Sequence, residues 1–254
     1  MLSEEQKQAF QERGFIVCKG FFPQQTVARL SQWLDELSDK APDEGKEAKY
    51  YEQSPISDEI QLVRAEYLLG DHNPDITGLL LDGNTLGSLQ DLFGEPPILF
   101  KEKANYKLPG CRADKLHQDQ AAGWNSFADF FISMAIVVDE NRLDNAAISF
   151  MCSGNYDKAL MSAEWTPLTL EDPPYQPEDE YQVLEADPGD VVFFDSYVPH
   201  GSPANTSSRQ RRNIYLTFNR ASDGDLREQY YQDKWRSYPP NQVASARQDS
   251  SYRV

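Results

Sequence analysis

The stretch Leu116-His117-Gln118-Asp119 places an imidazole and a carboxylate two residues apart, and a second imidazole follows in Tyr197-Val198-Pro199-His200-Gly201-Ser202. Residues two apart on a β-strand point to the same side, so His117 and Asp119 are expected to face one cavity, where His200 can join them from another strand. Two imidazoles and one carboxylate on one face of an octahedron suit Fe(II) and leave positions open for a co-substrate and dioxygen. These three side chains are therefore predicted to bind iron and to be catalytic.

The scarcity of histidine supports this interpretation. A His-x-Asp motif is expected by chance in roughly one of four chains of such composition, and buried histidines are often satisfied by ordinary hydrogen bonds. Two of only three histidines nevertheless occupy these positions, each beside an apolar, strand-like run, and a basic cluster follows the second. The third, His72, has turn-forming neighbours and is predicted to lie in a surface loop.

Composition limits the classes of partner. The 254 residues contain no linker or internal repeat, and β-rich folds often reach this length as one domain. The formal net charge of -17 disfavours nucleic acid, which requires a basic face. No apolar run approaches the roughly 20 residues of a membrane span, and the first residues do not resemble a signal peptide. We therefore expect a single cytoplasmic domain, with its three cysteines reduced.

About residues 1–95 are predicted to be mainly helical. Ser3-Glu4-Glu5-Gln6 is a capping box, and Gly14 suits the left-handed end of the helix that this box begins. Residues 42–60 are charged and rich in turn formers, which predicts a surface connection. Leucine and isoleucine then recur at helical intervals over residues 76–93, which predicts one helix there.

Strand-like patterns dominate about residues 96–220. Short apolar or alternating runs predict strands at 98–107, 130–138, 146–151, 191–194 and 212–219. Helices followed by several short strands, two of which carry metal ligands, predict a mainly β fold with flanking helices. Its core is expected to be a double-stranded β-helix, the cupin-like jelly roll, with the ligands at its mouth.

Two segments have no firm assignment from their pattern. Residues 155–182 are rich in proline and acidic residues, which is typical of either an active-site lid or a disordered loop. The tail, residues 221–254, contains aromatic residues that indicate packing against something, for which a neighbouring subunit in a homo-oligomer is one option: Tyr230, Tyr231, Trp235 and Tyr238.

The strand at 98–107 has one strongly polar face. Alternation puts the following side chains on that face: Lys101, Lys103, Asn105 and Lys107. Such a face is usually exposed to solvent, but shortly before the metal pair it can equally line a polar cavity. The sequence leaves both options open.

The chain resembles the iron(II)- and 2-oxoglutarate-dependent oxygenases of the phytanoyl-CoA hydroxylase family. The likeness rests on the His117-x-Asp119 pair, His200 and a basic residue eleven positions later, Arg211. Three longer stretches are similar to the 2-aminoethylphosphonate dioxygenases and to relatives acting on the N-trimethylated analogue: Leu99–Gly110, Leu116–Trp124 and Pro188–Gly201. Residues 111–115 depart from the glycine-rich loop expected of that group.

The resemblance implies Fe(II) as cofactor and 2-oxoglutarate and O2 as co-substrates. The distal carboxylate of 2-oxoglutarate requires a fixed cationic fork, which arginine supplies. Arg209, Arg211 and Arg212 compete for this role, and the family spacing favours Arg211, with Lys103 and Asn105 as further co-substrate contacts. Asp119 is intact, whereas related halogenases replace it with a small residue, so hydroxylation is the expected reaction.

A small zwitterion is the implied substrate, with a phosphonate at one end and an amine or quaternary ammonium at the other. The phosphonate would be bound by cations and amides, for which the candidates are Lys101, Lys103, Asn105 and Arg64. The ammonium group prefers a carboxylate or an aromatic face, and the candidates near the ligands are Asp195, Tyr197, Tyr106 and Trp124, with Gln118 as a further contact. Hydroxylation next to phosphorus would prepare the carbon–phosphorus bond for cleavage by a second oxygenase.

Three other functions fit parts of the pattern. The same chemistry could act on another small polar metabolite, such as an amino acid or a compatible solute. A zinc hydrolase could use the triad, but it would leave Arg211 without a role. A non-catalytic jelly roll could bind a ligand without turnover. Long acyl-CoA substrates fit poorly, because the polar strand face would bury charges against a hydrocarbon chain.

Overall fold

The computed structural model describes residues 1–152, 158–163, 166–171 and 181–241. Two antiparallel sheets form a jelly roll, and helices cover one face of the larger sheet. The predicted mainly β fold with flanking helices is confirmed. Much of the segment 155–182, predicted to be a lid or a disordered loop, lies outside the described residues. No described helix is both long and apolar enough to cross a membrane.

Five α-helices occur among the described residues, four of them before residue 95. Their bounds are α1 Glu4–Arg13, α2 Gln24–Asp39, α3 Pro74–Leu80, α4 Gly83–Phe93 and α5 Arg227–Ser237. The predicted capping box is present, since Gln6 N donates to Ser3 Oγ and Ser3 N donates to the Gln6 side chain. Gly14 ends α1 in the predicted left-handed conformation, with φ of 76°.

The strands follow the predicted order closely. Their bounds are β1 Phe15–Cys18, β2 Ala48–Gln53, β3 Ile60–Glu66, β4 Pro97–Lys107, β5 Asp114–His117, β6 Ile132–Val137, β7 Ser149–Met151, β8 Tyr181–Val183, β9 Val191–Asp195, β10 His200–Ser202 and β11 Arg211–Arg220. The larger sheet has the order β1-β9-β6-β11-β4-β3-β2, and the smaller one β5-β10-β7-β8. β11 is therefore the central strand of the larger sheet.

Two local predictions were wrong. Residues 42–60 are not only a surface connection, because β2 and the start of β3 form a hairpin there that joins the edge of the larger sheet. Residues 76–93 form two helices rather than one. The first helix ends because Leu81 leaves helical geometry, with ψ of 40°. The second helix, α4, begins at the Asp82 cap, whose carboxylate accepts a hydrogen bond from Thr85 N at 2.8 Å.

The two faces of β11 separate the hydrophobic core from the polar interior. Ile214, Leu216 and Phe218 pack into the main core with the buried faces of the helices. The alternate residues face the other side, in register with the polar face of β4: Arg211 pairs with Lys107, and Tyr215 pairs with Lys103. Side chains on this second face of β11 and β4, among them Arg211 and Lys103, therefore point away from the main core.

The described aromatic residues of the tail pack on the protein's own chain. Tyr231 is fully buried, and its hydroxyl donates to Glu102 O at 2.9 Å in β4. Tyr238 stacks on Tyr50 of β2, with ring centroids 4.9 Å apart. A neighbouring subunit is therefore not needed to explain these side chains, because α5 covers the outer strands β2 to β4.

A tight turn before β9 predicts a sharp sensitivity to substitution. Gly189 has φ of 98°, and a Cβ added there would lie 2.5 Å from Phe22 O. Left-handed backbone costs a non-glycine residue about 1–2 kcal/mol, and the clash adds to this cost. We expect Gly189→Ala to lower the free energy of unfolding by at least about 2 kcal/mol, as measured by urea denaturation.

Gly78 provides the control for this substitution. It lies within α3, and an added Cβ meets nothing within 4 Å. Gly78→Ala should raise the free energy of unfolding by about 0.4–1 kcal/mol. Equal effects of the two substitutions would contradict the assignment of Gly189 as a strained position.

Candidate active site

The three predicted metal ligands converge at one end of the smaller sheet. His117 and His200 are directly opposite each other in the β5–β10 pair, and their ring centroids lie 4.4 Å apart. Asp119 Oδ1 lies 3.8 Å from His117 Nε2 and 4.0 Å from His200 Nε2. A ligand atom from each residue can therefore reach one ion.

The route by which Asp119 joins the site differs slightly from the prediction. β5 ends at His117, and Asp119 begins a short 3-10 helix, Asp119–Ala122. Gln118 nevertheless keeps extended backbone angles, with φ of -114° and ψ of 127°. Its extended conformation puts the side chains on either side of it on the same face, as expected of a strand.

Backbone carbonyls fix the orientation of both imidazoles. His117 Nδ1 lies 2.7 Å from Lys115 O, and His200 Nδ1 lies 2.9 Å from Val198 O. Because a carbonyl oxygen can only accept, each Nδ1 carries the proton and each Nε2 presents a lone pair to the site. Metal-binding histidines are commonly held in this way.

The electrostatics also favour a metal. Burial lowers the pKa of His117 to about 4, and the neighbouring His200 adds to this effect, so the ring is neutral and able to coordinate at neutral pH. Burial acts to raise the pKa of Asp119, but the surrounding His200 and Lys103 lower it further than burial raises it. The carboxylate is therefore ionised.

An unsatisfied acceptor gives a direct test of whether iron fits. Asp119 Oδ1 is buried and has no hydrogen-bond partner among the described residues. A buried carboxylate oxygen without a partner is costly, and it points toward the Nε2 atoms of both histidines. Two imidazoles and one carboxylate suit non-haem Fe(II), so these residues fit the ion.

A polar cavity opens beside the triad. Its volume of about 70 Å³ is several times the about 10–15 Å³ that one buried water requires on the same measure. A small ligand can therefore enter. Its polar wall contains Arg64, Lys103, Asn105, Arg112, Asp114, Ser202 and Tyr215. The polar face of β4 therefore lies toward the cavity and not toward solvent, which decides between the two options left open by the sequence.

The structure separates the three candidate arginines. Arg212 points away from the cavity and donates to Asp139 at 2.7 Å and Asp35 at 2.6 Å. Arg209 precedes β11, is partly exposed, and pairs with Glu140 and Asp144. Arg211 is 1% exposed, and its Nε has no hydrogen-bond partner among the described residues. Arg211 alone of the three is buried with an unused donor.

Other predicted substrate contacts have different surroundings. Asp195 accepts hydrogen bonds from the backbone of Tyr197 and Val198, both at 2.9 Å, and the Tyr197 hydroxyl donates to Asp129 O. Trp124 is buried against Phe100 and Phe131. None of these three predicted contacts lines the described part of the cavity, so their assignment to the substrate gains no support from the structure.

Gln118 and Lys101 also lie outside the described cavity wall. The Gln118 amide donates to Tyr197 O at 2.6 Å and to Ala159 O at 2.8 Å, and it accepts from Met161 N. Gln118 thus anchors the segment 158–163 beside the triad. Lys101 Nζ lies 5.0 Å from the Trp124 ring centroid and has no hydrogen-bond partner among the described residues.

Sequence reasoning missed Arg112, Asp114, Ser202 and Tyr215 in the cavity wall. The Asp114 carboxylate pairs with Lys107 and Arg112, both at 2.8 Å. Alternation along β11 from Arg211 could have found Tyr215. Arg112 lies in a loop and Asp114 begins β5, and no local signal in the sequence identified them.

A jelly roll with this triad at its mouth defines a non-haem iron dioxygenase that uses 2-oxoglutarate as co-substrate. Residues 10–213 match the phytanoyl-CoA dioxygenase family. The chain belongs to that family, and the expectation of an oxygenase is confirmed. A zinc hydrolase and a non-catalytic binding protein are accordingly set aside.

Two curated relatives cover nearly the whole chain. A 2-aminoethylphosphonate dioxygenase from the uncultured bacterium HF130_AEPn_1 is 34% identical over 94% of this chain and 89% of its own length. A methylphosphonate hydroxylase from Gimesia maris is also 34% identical, over 93% of this chain and 88% of its own length.

A solved structure shares the fold. The S. alaskensis EctD structure with 2-oxoglutarate and 5-hydroxyectoine has a TM-score of 0.69 and 22% identity, covering 87% of this chain and 77% of that one. The likeness confirms the jelly-roll architecture.

Removing an imidazole should strongly weaken metal binding. We expect His200→Ala to weaken Fe(II) affinity by more than the about 10–100-fold that loss of an outer partner costs, as measured by anaerobic titration. His72→Ala is the matched control, because that ring contacts Tyr67 in a loop. Unchanged affinity in His200→Ala would contradict the site.

Proposed function

We propose that this protein hydroxylates the carbon next to phosphorus of a small aminoalkylphosphonate, either 2-aminoethylphosphonate or its N-trimethylated analogue. The reaction consumes one O2 and one 2-oxoglutarate and gives the hydroxylated phosphonate, succinate and CO2. One oxygen atom enters the substrate C–H bond, and the other enters succinate. The relative named 2-aminoethylphosphonate dioxygenase, 34% identical to this chain, supports this substrate class.

Basic side chains in the cavity wall carry the proposal. Arg64, Lys103 and Arg112 line the cavity, where the carboxylates are Asp114 and the predicted metal ligand Asp119. A phosphonate, with up to two negative charges and three acceptor oxygens, is the kind of anion that such a wall attracts.

The basic residues in and around the cavity divide between the two small molecules. Arg211 is not part of the described cavity wall, but it is buried with an unused Nε, and we assign it to the distal carboxylate of 2-oxoglutarate. Arg64, Lys103 and Asn105 are assigned to the phosphonate from neighbouring positions on β3 and β4.

The triad and its surroundings supply the catalytic environment. Iron supplies the activation of dioxygen when it is bound. His117, Asp119 and His200 would hold it on one side, and the aromatic rings of Phe150 and Phe194 flank His200 at 5.5 and 5.1 Å. These apolar contacts exclude water from one side of the site, which limits wasteful reaction of the activated oxygen.

Methylphosphonate is a second candidate substrate. The methylphosphonate hydroxylase of G. maris is as similar to this chain as the aminoethylphosphonate enzyme. Apart from the metal ligand, the described cavity wall contains one carboxylate, Asp114, and both of its oxygens are already paired with cations. A substrate without an amine would not need a further carboxylate.

A substrate panel tests the proposal. Purified protein with Fe(II), 2-oxoglutarate and O2 should release succinate stoichiometrically with a product 16 mass units heavier. The panel contains 2-aminoethylphosphonate, its N-trimethylated analogue, methylphosphonate, an amino acid and a compatible solute. Turnover of a non-phosphonate alone would overturn the proposal, and preference for methylphosphonate would select the second candidate.

Arg211 should control the affinity for 2-oxoglutarate. Losing one partner of a buried charge pair costs about 2 kcal/mol or more, so Arg211→Met should raise the KM for 2-oxoglutarate about thirtyfold or more. Arg209→Gln removes an exposed arginine and should leave this KM unchanged. Equal values for Arg211→Met and the unmodified protein would contradict the assignment.

A further inference from the structure

A chain of charged groups connects α5 to the cavity. Lys234 Nζ donates to Glu66 Oε1 at 2.7 Å, and the same oxygen lies 3.0 Å from Arg64 Nε. The side chains of Glu66 and Lys234 are 0% and 7% exposed, and neither lines the cavity. Arg64 does line it. One buried carboxylate therefore links a helix outside the site to a guanidinium inside it.

Aromatic rings hold the same guanidinium from another direction. The Arg64 guanidinium carbon lies 4.8 Å from the Tyr50 ring centroid and 5.8 Å from that of Tyr238. Tyr50 belongs to β2, and Tyr238 directly follows α5. Arginine stacks well on aromatic faces, so these rings restrict the plane of the guanidinium.

The charge of Glu66 is strongly maintained. Although burial opposes ionisation, Lys234 and Arg64 lower the pKa of Glu66 to about 2. A carboxylate that stays ionised in a buried position exerts a strong, directed attraction on its cations. It therefore attracts the Nε edge of the Arg64 guanidinium, 3.0 Å away, in a side chain that lines the cavity.

We propose that Glu66 and Lys234 are positioning residues for substrate recognition, which orient the guanidinium of Arg64 toward the anionic group of the substrate. This inference rests on the proposed function, since it takes the phosphonate to be the group that Arg64 binds. Helix α5 lies outside the cavity, but through Lys234 it would contribute to substrate specificity. Neither positioning residue is expected to touch substrate, iron or 2-oxoglutarate.

The chain offers a matched control for this role. Glu102 is also fully buried and also pairs with a cation of α5, because Arg227 Nε donates to Glu102 Oε2 at 3.0 Å. Glu102 lies on the face of β4 opposite to Lys103 and accepts from Leu69 N, away from the cavity. Glu102→Gln removes a comparable ion pair that does not include Arg64.

The test compares KM and kcat in a double-mutant cycle. With the preferred phosphonate from the panel, Glu66→Gln should raise the KM for the phosphonate at least about tenfold, while the KM for 2-oxoglutarate and kcat change less than about twofold. Arg64→Met should raise the same KM at least as much. The double variant should be no worse than Arg64→Met alone, because Glu66 acts through Arg64. Glu102→Gln should leave all three constants unchanged at a temperature where it is folded.

A second variant guards against loss of folding. If Glu66→Gln does not fold, Lys234→Met tests the same link from the helix side, and Lys234→Arg should restore the low KM. Additive effects of Glu66→Gln and Arg64→Met, or an equal KM increase in Glu102→Gln, would overturn the positioning role while leaving the proposed function intact. An unmodified protein that turns over no phosphonate would instead overturn both.

Discussion

The pairing of His117 with His200 across β5 and β10 is the constraint on which the site depends. Residues directly opposite on antiparallel strands have side chains close together on one face, so this register alone brings two imidazoles within reach of one ion. The carbonyls of Lys115 and Val198 then hold both rings in the coordinating tautomer. A shift of the register by one residue would turn one imidazole to the opposite face of the sheet.

The cavity beside the triad shows how a strongly acidic protein maintains a locally cationic interior. The protein has a formal net charge of -17, yet Arg64, Lys103 and Arg112 line one cavity. The acidic excess lies elsewhere, while strand alternation on β4 and β11 gathers basic side chains on the inner face. Net charge thus describes interactions with large partners, and the local arrangement determines which small molecules bind.

Local signals in the sequence were sufficient for several elements. The α1 caps, the alternation of β4 and the His117-x-Asp119 spacing each depend on neighbours within a few residues, and the structure contains all three. The hairpin of β2 and β3 was missed, because its strands carry charged residues and only β3 joins the rest of the sheet, by pairing with β4. Arg112 was missed for a related reason: it pairs with Glu52, which is 60 positions away in the sequence. The link from Lys234 to Arg64 joins residues that are 170 positions apart, and no local pattern reveals it.

The central position of β11 has a consequence for the order in which the molecule is assembled. This strand lies between β6 and β4, so β1, β9 and β6 stay unjoined from β4, β3 and β2 until residues 211–220 have been synthesised. Contacts between distant parts of the chain slow folding. Here such contacts also cannot begin to form until β11 has been synthesised. The two halves of the larger sheet can therefore be joined only late in translation, and a nascent chain that already carries His117, Asp119 and His200 still lacks Arg211 and Tyr215, on the strand that joins the two halves.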